Sequence, residues 1–296
     1  MPKPSMSLPK AEIISVKILL PVIPLTIGLS FWYAWECLRM SASIELERPY
    51  VYRQFVPLAA RLISRLTAIT VNQAVIVVIV LCALVFTFAA HDLFRLFYPT
   101  DPRASRFALV MIGLLFLLAA FPRHTYDIPT GMFFTLALVL IRREHLKLYA
   151  LLFPLICLNR ETAFLLTLLF AVYFYRTLDR RSYWLYLMYQ GIVYIVIRVV
   201  LTWAFANMPG HPFSFRLIEN LERYASGPFT TQIFLLFLVA LTFLLVIKWQ
   251  RAPALMRTAF LVLTPPLVVL YFCFGWSFEV RVFIELLPVI GIISTA

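Results

Sequence analysis

The chain has 296 residues, of which 62% are hydrophobic and only 14% are charged. Soluble domains carry roughly 25% charged residues, so this composition excludes an ordinary soluble globular domain. The net charge of +12 does not indicate nucleic-acid binding, because the basic residues are scattered between apolar segments and are not gathered on one face.

Solid apolar runs recur along the whole sequence. A helix needs about 20 apolar residues to cross a bilayer, and a β-barrel would show alternating polarity instead. We therefore predict an all-α fold, a polytopic transmembrane helix bundle that forms a single integral membrane domain over residues 1–296. The predicted spans, roughly ten in number, are 16–38, 71–90, 107–121, 128–141, 148–158, 162–175, 184–205, 229–247, 258–274 and 279–296.

The basic residues predict the orientation of these spans. Three basic residues lie in each of the segments 3–17, 95–106, 142–147, 176–181 and 248–257. An excess of lysine and arginine marks cytoplasmic loops, so we predict a cytoplasmic N-terminus. Apart from Asp92, which adjoins the second of these segments, the acidic residues outside them then lie at or near the outer face, where we expect the functional site.

A first cluster of polar residues follows the first predicted span. It contains Glu36, Glu45, Glu47, Arg48 and Arg53, and it leads into a predicted helix at about 50–66.

That helix has an amphipathic pattern. Phe55, Leu58, Leu62 and Leu66 make an apolar stripe, while Arg61 and Arg65 lie four residues apart. The pattern is typical of a helix that lies in the membrane interface. Two interpretations stay open: Arg48 and Arg53 hold a lipid phosphate, or the segment is an ordinary interfacial helix with snorkelling side chains.

Three further clusters lie at predicted outer ends of spans. Their candidate ligand-binding residues are Arg123, Tyr126 and Asp127; Arg160 and Glu161; and Glu279, Arg281 and Glu285. An arginine fork suits phosphate oxygens, and ionisable groups near membrane depth usually mark a site or a structural pair.

Each cluster also has a structural interpretation. Asp127 would cap the next helix, Arg160 and Glu161 would form an ion pair, and Arg281 and Glu285 would share one helix face and lock the bundle.

Four segments of the sequence resemble segments of a known superfamily. Glu47 to Pro57, Tyr126 to Pro129, Asn159 to Ala163 and Glu279 to Pro288 are similar to segments of a broad set of bacterial membrane proteins, whose layout resembles the GT-C membrane glycosyltransferases. The resemblance covers most of the chain as a layout, but only about 30 residues as motifs. In the superfamily, the first outer loop carries an acidic catalytic residue that is typically aspartate. Here the loop offers glutamates only.

The resemblance implies an enzyme that moves a sugar from a polyprenyl-phosphate donor to an acceptor at the outer face, in the bacterial inner membrane. Glu47 or Glu36 would be the general base, Asp127 would bind a sugar hydroxyl or help to hold a metal, and arginines would neutralise the leaving phosphate. No metal ligands are assigned, and a divalent cation is left open as a cofactor.

Two other functions stay open at this point. A non-catalytic membrane subunit or assembly scaffold, with a membrane protein as its partner, fits the missing aspartate. A transporter fits less well, because transporters favour internal repeats and polar residues at mid-membrane, and neither pattern is visible.

Overall fold

The computed structural model describes residues 22–40, 48–119, 124–210, 215–226, 246–275 and 280–296. The described chain is helical throughout, apart from turns and one isolated β-bridge. The α-helices are α1 Val22–Met40, α2 Phe55–Leu66, α3 Val71–Phe97, α4 Ala104–Ala119, α5 Asp127–Arg142, α6 Leu146–Asn159, α7 Phe164–Phe174, α8 Arg180–Ala204, α9 Leu217–Ser226, α10 Ala254–Phe274 and α11 Leu287–Thr295. Short 3₁₀ helices lie at Tyr50–Tyr52, Glu161–Ala163, Trp249–Arg251 and Val280–Leu286.

Three of the described helices, α3, α8 and α10, are long and apolar enough to cross a membrane. Shorter apolar helices correspond to several other predicted spans, including α4 and α6. The helical fold class is therefore confirmed, and membrane association is supported, whereas the count of roughly ten spans stays a prediction. The predicted span at 229–247 lies almost entirely outside the described residues.

Helix α5 lies at the centre of the described bundle. All of its residues except Leu136, Leu140 and Arg142 are buried. It packs against α3, α4 and α6, and against the 3₁₀ helix that precedes α11. A helix that is apolar all round must be covered by other helices or by lipid, and here protein covers it. Its buried N-terminus places Tyr126 and Asp127 of the second predicted cluster inside the bundle.

Local sequence signals explain how neighbouring helices begin. Thr70 and Gln73 form a reciprocal capping box at the start of α3, and Asp179 accepts a hydrogen bond from the backbone N–H of Ser182 at the start of α8. These side chains satisfy backbone donors that the first helical turn leaves free.

The predicted amphipathic helix begins later than expected. A 3₁₀ turn at Tyr50–Tyr52 and the link Arg53–Gln54 precede α2, so Arg53 lies outside the helix. The face of α2 that packs on the protein contains Val56 and Ala60, whereas the predicted leucine stripe is exposed beside the two arginines: Leu58, Leu62 and Leu66, with Arg61 and Arg65. An exposed leucine stripe next to cations is the arrangement that an interfacial helix presents to lipid.

A short bridge joins the start of this region to the segment after α8. The backbone N–H of Arg48 donates to the carbonyl of Pro209 at 2.8 Å, and Arg48 pairs with Gly210. Gly210 has a φ of +89°, and a Cβ there would lie 2.7 Å from the carbonyl oxygen of Arg48. Only glycine fits this position without strain.

We expect Gly210→Ala to destabilise the folded protein by about 1–3 kcal/mol, because the new Cβ strains the backbone and separates the two segments. The measurement is the unfolding midpoint in mixed micelles. Gly191→Ala is the matched control, since a Cβ at that helical glycine meets nothing within 4 Å. Equal midpoints for the two variants would contradict the assigned role of Gly210.

Candidate functional site

Residues from all four predicted clusters and from α8 meet inside the bundle. We call the following set the charged network: Arg53, Asp127, Arg160, Glu161, Arg198, Arg281 and Glu285. The set contains four arginines and three carboxylates, so the network carries an excess of positive charge when all of these groups are ionised. The order of the predicted spans along the chain did not establish that these residues lie close together.

Asp127 and Arg281 form a buried ion pair. The Nη1 atom of Arg281 lies 3.5 Å from Oδ2 of Asp127, and it donates to the hydroxyl of Tyr126 at 2.6 Å. The Asp127 side chain is fully buried. The helix-cap interpretation of Asp127 is wrong, since Tyr126 is the N-cap residue of α5 and Asp127 is the first helical residue.

Arg160 and Glu285 form a second buried pair. Nη1 of Arg160 lies 3.4 Å from Oε1 of Glu285, which also accepts a short hydrogen bond from the hydroxyl of Thr162. The backbone of Arg160 is extended at the end of α6, and a 3₁₀ turn follows immediately. Arg160 therefore pairs with Glu285, whereas the predicted structural pair was Arg160 with Glu161.

Arg281 and Glu285 bind to different elements. The prediction that they share one face assumed an α-helix, but residues 280–286 form a 3₁₀ helix. With about three residues per turn, side chains four positions apart point in directions about a third of a turn apart. Arg281 accordingly contacts α5, and Glu285 contacts the turn at residues 160–162.

Glu161 lies between two arginines. The Nε atom of Arg53 donates to both of its carboxylate oxygens, at 3.3 and 3.2 Å, and Nη1 of Arg198 lies 4.0 Å away. Burial alone would raise the pKa of Glu161, but the neighbouring cations of Arg53 and Arg198 lower it overall. Glu161 is therefore a carboxylate at neutral pH and a weak general base.

Aromatic rings surround Arg53. Its guanidinium lies 4.0 Å from the ring centroid of Tyr126 and 5.2 Å from that of Tyr50. His124 stacks on both tyrosines, with centroids 5.0 Å apart in each case. Burial, together with the cations of Arg281, Arg53 and Arg160, lowers the pKa of His124 to about 2. His124 is neutral at physiological pH and serves here as a flat packing surface.

The segment that carries His124 and Tyr126 is held from two sides. The hydroxyl of Tyr33 on α1 donates to the carbonyl of His124 at 2.8 Å. The amide of Asn159 donates to the carbonyl of Tyr126 at 3.2 Å and to the hydroxyl of Thr130 at 2.9 Å. The polar turn is thus a rigid part of the core.

The remaining predicted residues lie elsewhere. Glu36 is half-buried on α1, and Arg48 is partly buried at the bridge to Pro209. Glu47, Arg123 and Glu279 fall outside the described residues. Glu47, one of the two predicted candidates for the general base, therefore has no described position.

Two residues that contact the site, Arg198 and Tyr33, lie outside the four predicted clusters. An arginine within an apolar span was the available signal for Arg198, because an isolated charge at that depth is costly. No pattern in the sequence distinguished Tyr33 from an ordinary core tyrosine.

The described carboxylates of the network do not form a metal site. Each of them already faces an arginine, and no three histidine, cysteine or acidic side chains in the described part of the chain are placed to hold a metal ion. The geometry suits an anion better than a cation.

Two surface grooves lie away from the charged network. They have volumes of about 480 and 540 Å³; the first is lined by residues in the N-terminal part of α8, and the second by residues around the starts of α6 and α8. The network belongs to the opposite end of these helices, so the grooves add nothing to its chemistry.

Searches found no match to a protein-family model, to a curated protein or to a solved structure. The resemblance to GT-C glycosyltransferases therefore stays a prediction from the quoted motifs.

We expect the single substitution Arg281→Met to destabilise the protein by about 3–5 kcal/mol, because it removes the cation beside a fully buried carboxylate. The double variant Asp127→Asn/Arg281→Met should recover part of that loss. Unfolding free energies of the single and double variants measure the coupling.

The surface pair Arg143–Asp92, at 2.6 Å, provides the control. Exposed pairs contribute about 0–1 kcal/mol, so Arg143→Met should change stability little. If Arg281→Met and Arg143→Met destabilise the protein equally, the buried pair does not hold the bundle together.

Proposed function

We propose that the chain is a membrane glycosyltransferase that moves a sugar from a polyprenyl-phosphate donor to an acceptor hydroxyl at the outer face of the membrane. The observation that carries the proposal is the convergence of arginines from four separate segments on the charged network. Guanidinium groups bind phosphate oxygens through paired hydrogen bonds. A net-positive cluster at the predicted outer ends of helices therefore suits a lipid-linked phosphate.

The surface of α2 supports the same substrate class. Its exposed leucine stripe and its two arginines suit contact with acyl chains and headgroups. Arg53 lies two residues before the first residue of this helix. A lipid lying along α2 would bring its phosphate toward Arg53.

In the proposed reaction, the acceptor oxygen attacks the anomeric carbon while the bond from that carbon to the phosphate oxygen breaks. A carboxylate takes the proton of the acceptor hydroxyl, and arginines stabilise the negative charge that develops on the leaving phosphate. Glu47 or Glu36 remains the proposed base. Asp127 is assigned here to positioning Arg281 and Tyr126, because its side chain is buried.

The test is release of polyprenyl phosphate by the full chain in liposomes supplied with a panel of polyprenyl-phosphate hexoses. We expect Glu47→Gln to reduce turnover by about 10²- to 10⁴-fold, the usual contribution of a general base. Glu222→Gln, on the exposed face of α9, is the control and should retain activity. Full activity in Glu47→Gln would remove Glu47 from the base role.

A non-catalytic subunit is the second candidate function. It is favoured by the buried pairs Asp127–Arg281 and Arg160–Glu285, which resemble a structural lock. The same liposome assay discriminates the two candidates. Absence of transfer with every donor, combined with large stability losses in both buried pairs, would favour the subunit.

A further inference from the structure

Glu161 differs from the other carboxylates of the charged network in its accessibility. Its side chain is 32% exposed, whereas those of Asp127 and Glu285 are fully buried. Within the described network, a ligand arriving from outside therefore reaches the pair Arg53 and Arg198 first. Arg160 and Arg281 are held deeper, against carboxylates that solvent does not reach.

The two arginines beside Glu161 have more donors than one carboxylate satisfies. Nη1 of Arg53 and both Nε and Nη1 of Arg198 are buried without a hydrogen-bond partner in the part of the chain that the structure describes. Leaving buried charged donors unsatisfied is costly. The arrangement has capacity for additional acceptor oxygens, of which a phosphate group supplies several.

The arginines are fixed, and Glu161 is the less constrained partner. Tyr50 and Tyr126 flank Arg53, while Arg198 donates to the backbone carbonyl of Cys157. In the described part of the chain, the side chain that donates hydrogen bonds to the Glu161 carboxylate is that of Arg53, and the backbone N–H of Glu161 itself adds a local bond. A rotamer change would free the two cations without moving a helix.

We propose that Glu161 is an internal competitor that neutralises Arg53 and Arg198 in the ligand-free protein and gives way to the phosphate group of an anionic ligand. The proposed function supplies the identity of this ligand as a lipid phosphate, so the inference rests on it in that respect. Its consequence is specific: removing the charge of Glu161 strengthens anion binding, although it removes an ion pair.

The experiment measures binding rather than transfer. Dodecyl phosphate, inorganic phosphate and uncharged dodecanol are titrated against the full chain in phosphatidylcholine nanodiscs, and binding is followed by microscale thermophoresis. We expect Glu161→Gln to raise the affinity for dodecyl phosphate about tenfold, and Arg198→Gln to lower it by about tenfold or more. Dodecanol should show no such dependence.

Glu219→Gln is the matched control, because Glu219 also lies between two arginines, Arg216 and Arg223, but on the exposed helix α9. Its affinity should stay within about twofold of the unmodified chain. If Glu161→Gln does not fold, Glu161→Asp retains the charge but shortens its reach, and we expect it to raise affinity about threefold.

The outcomes separate this inference from the proposed function. A gain for dodecyl phosphate over inorganic phosphate supports a lipid ligand, and equal gains support the inference with free phosphate as the ligand. Unchanged or weaker binding in folded Glu161→Gln overturns the inference, even if sugar transfer is observed. If Glu161→Gln binds dodecyl phosphate more tightly but the chain transfers no sugar, the inference is supported and the proposed glycosyltransferase function is contradicted.

Discussion

The cost of burying charge controls the architecture around α5. An ionised carboxylate removed from water is tolerated only when a cation and hydrogen-bond donors replace its hydration. Asp127 lies beside the cation of Arg281, and Glu285 lies beside the cation of Arg160 and the donor hydroxyl of Thr162. The two contacts join the 3₁₀ helix at residues 280–286 to α5 and to the turn at residues 160–162. These contacts fix the positions of three segments that are distant in sequence relative to one another.

Apolar packing is weakly directional. The charged contacts therefore specify the orientation of the helices, which apolar surfaces alone would not do. Helix α5 is buried almost all round, and many of its side chains would also fit a slightly rotated helix. A rotation would break the contacts of Asp127 with Arg281 and of Asn159 with Thr130. In a bilayer, where lipid tails are as apolar as leucine, such polar contacts contribute to helix association.

The sequence predicts the helices and the identity of most charged network members, but not their partners. Apolar runs are long enough to specify α3, α8 and α10, and charges embedded in such runs stand out because they are costly. Pairing depends on local geometry that residue spacing does not define. The 3₁₀ conformation separates Arg281 from Glu285, and the extended backbone of Arg160 separates it from Glu161. Arg198 could be found only as an isolated charge, since its partner lies far away in sequence.

The arginines of the network have two different roles, which differ in how deeply their carboxylate partners are buried. Arg160 and Arg281 neutralise fully buried carboxylates, so their charges are committed to holding the fold. Arg53 and Arg198 share a carboxylate that solvent reaches, so exchanging that carboxylate for another anion leaves the deeper pairs intact. A ligand that entered between the deeper pairs would have to replace contacts on which helix packing depends. The accessible pair therefore gives the protein a way to bind an anion without reducing its stability.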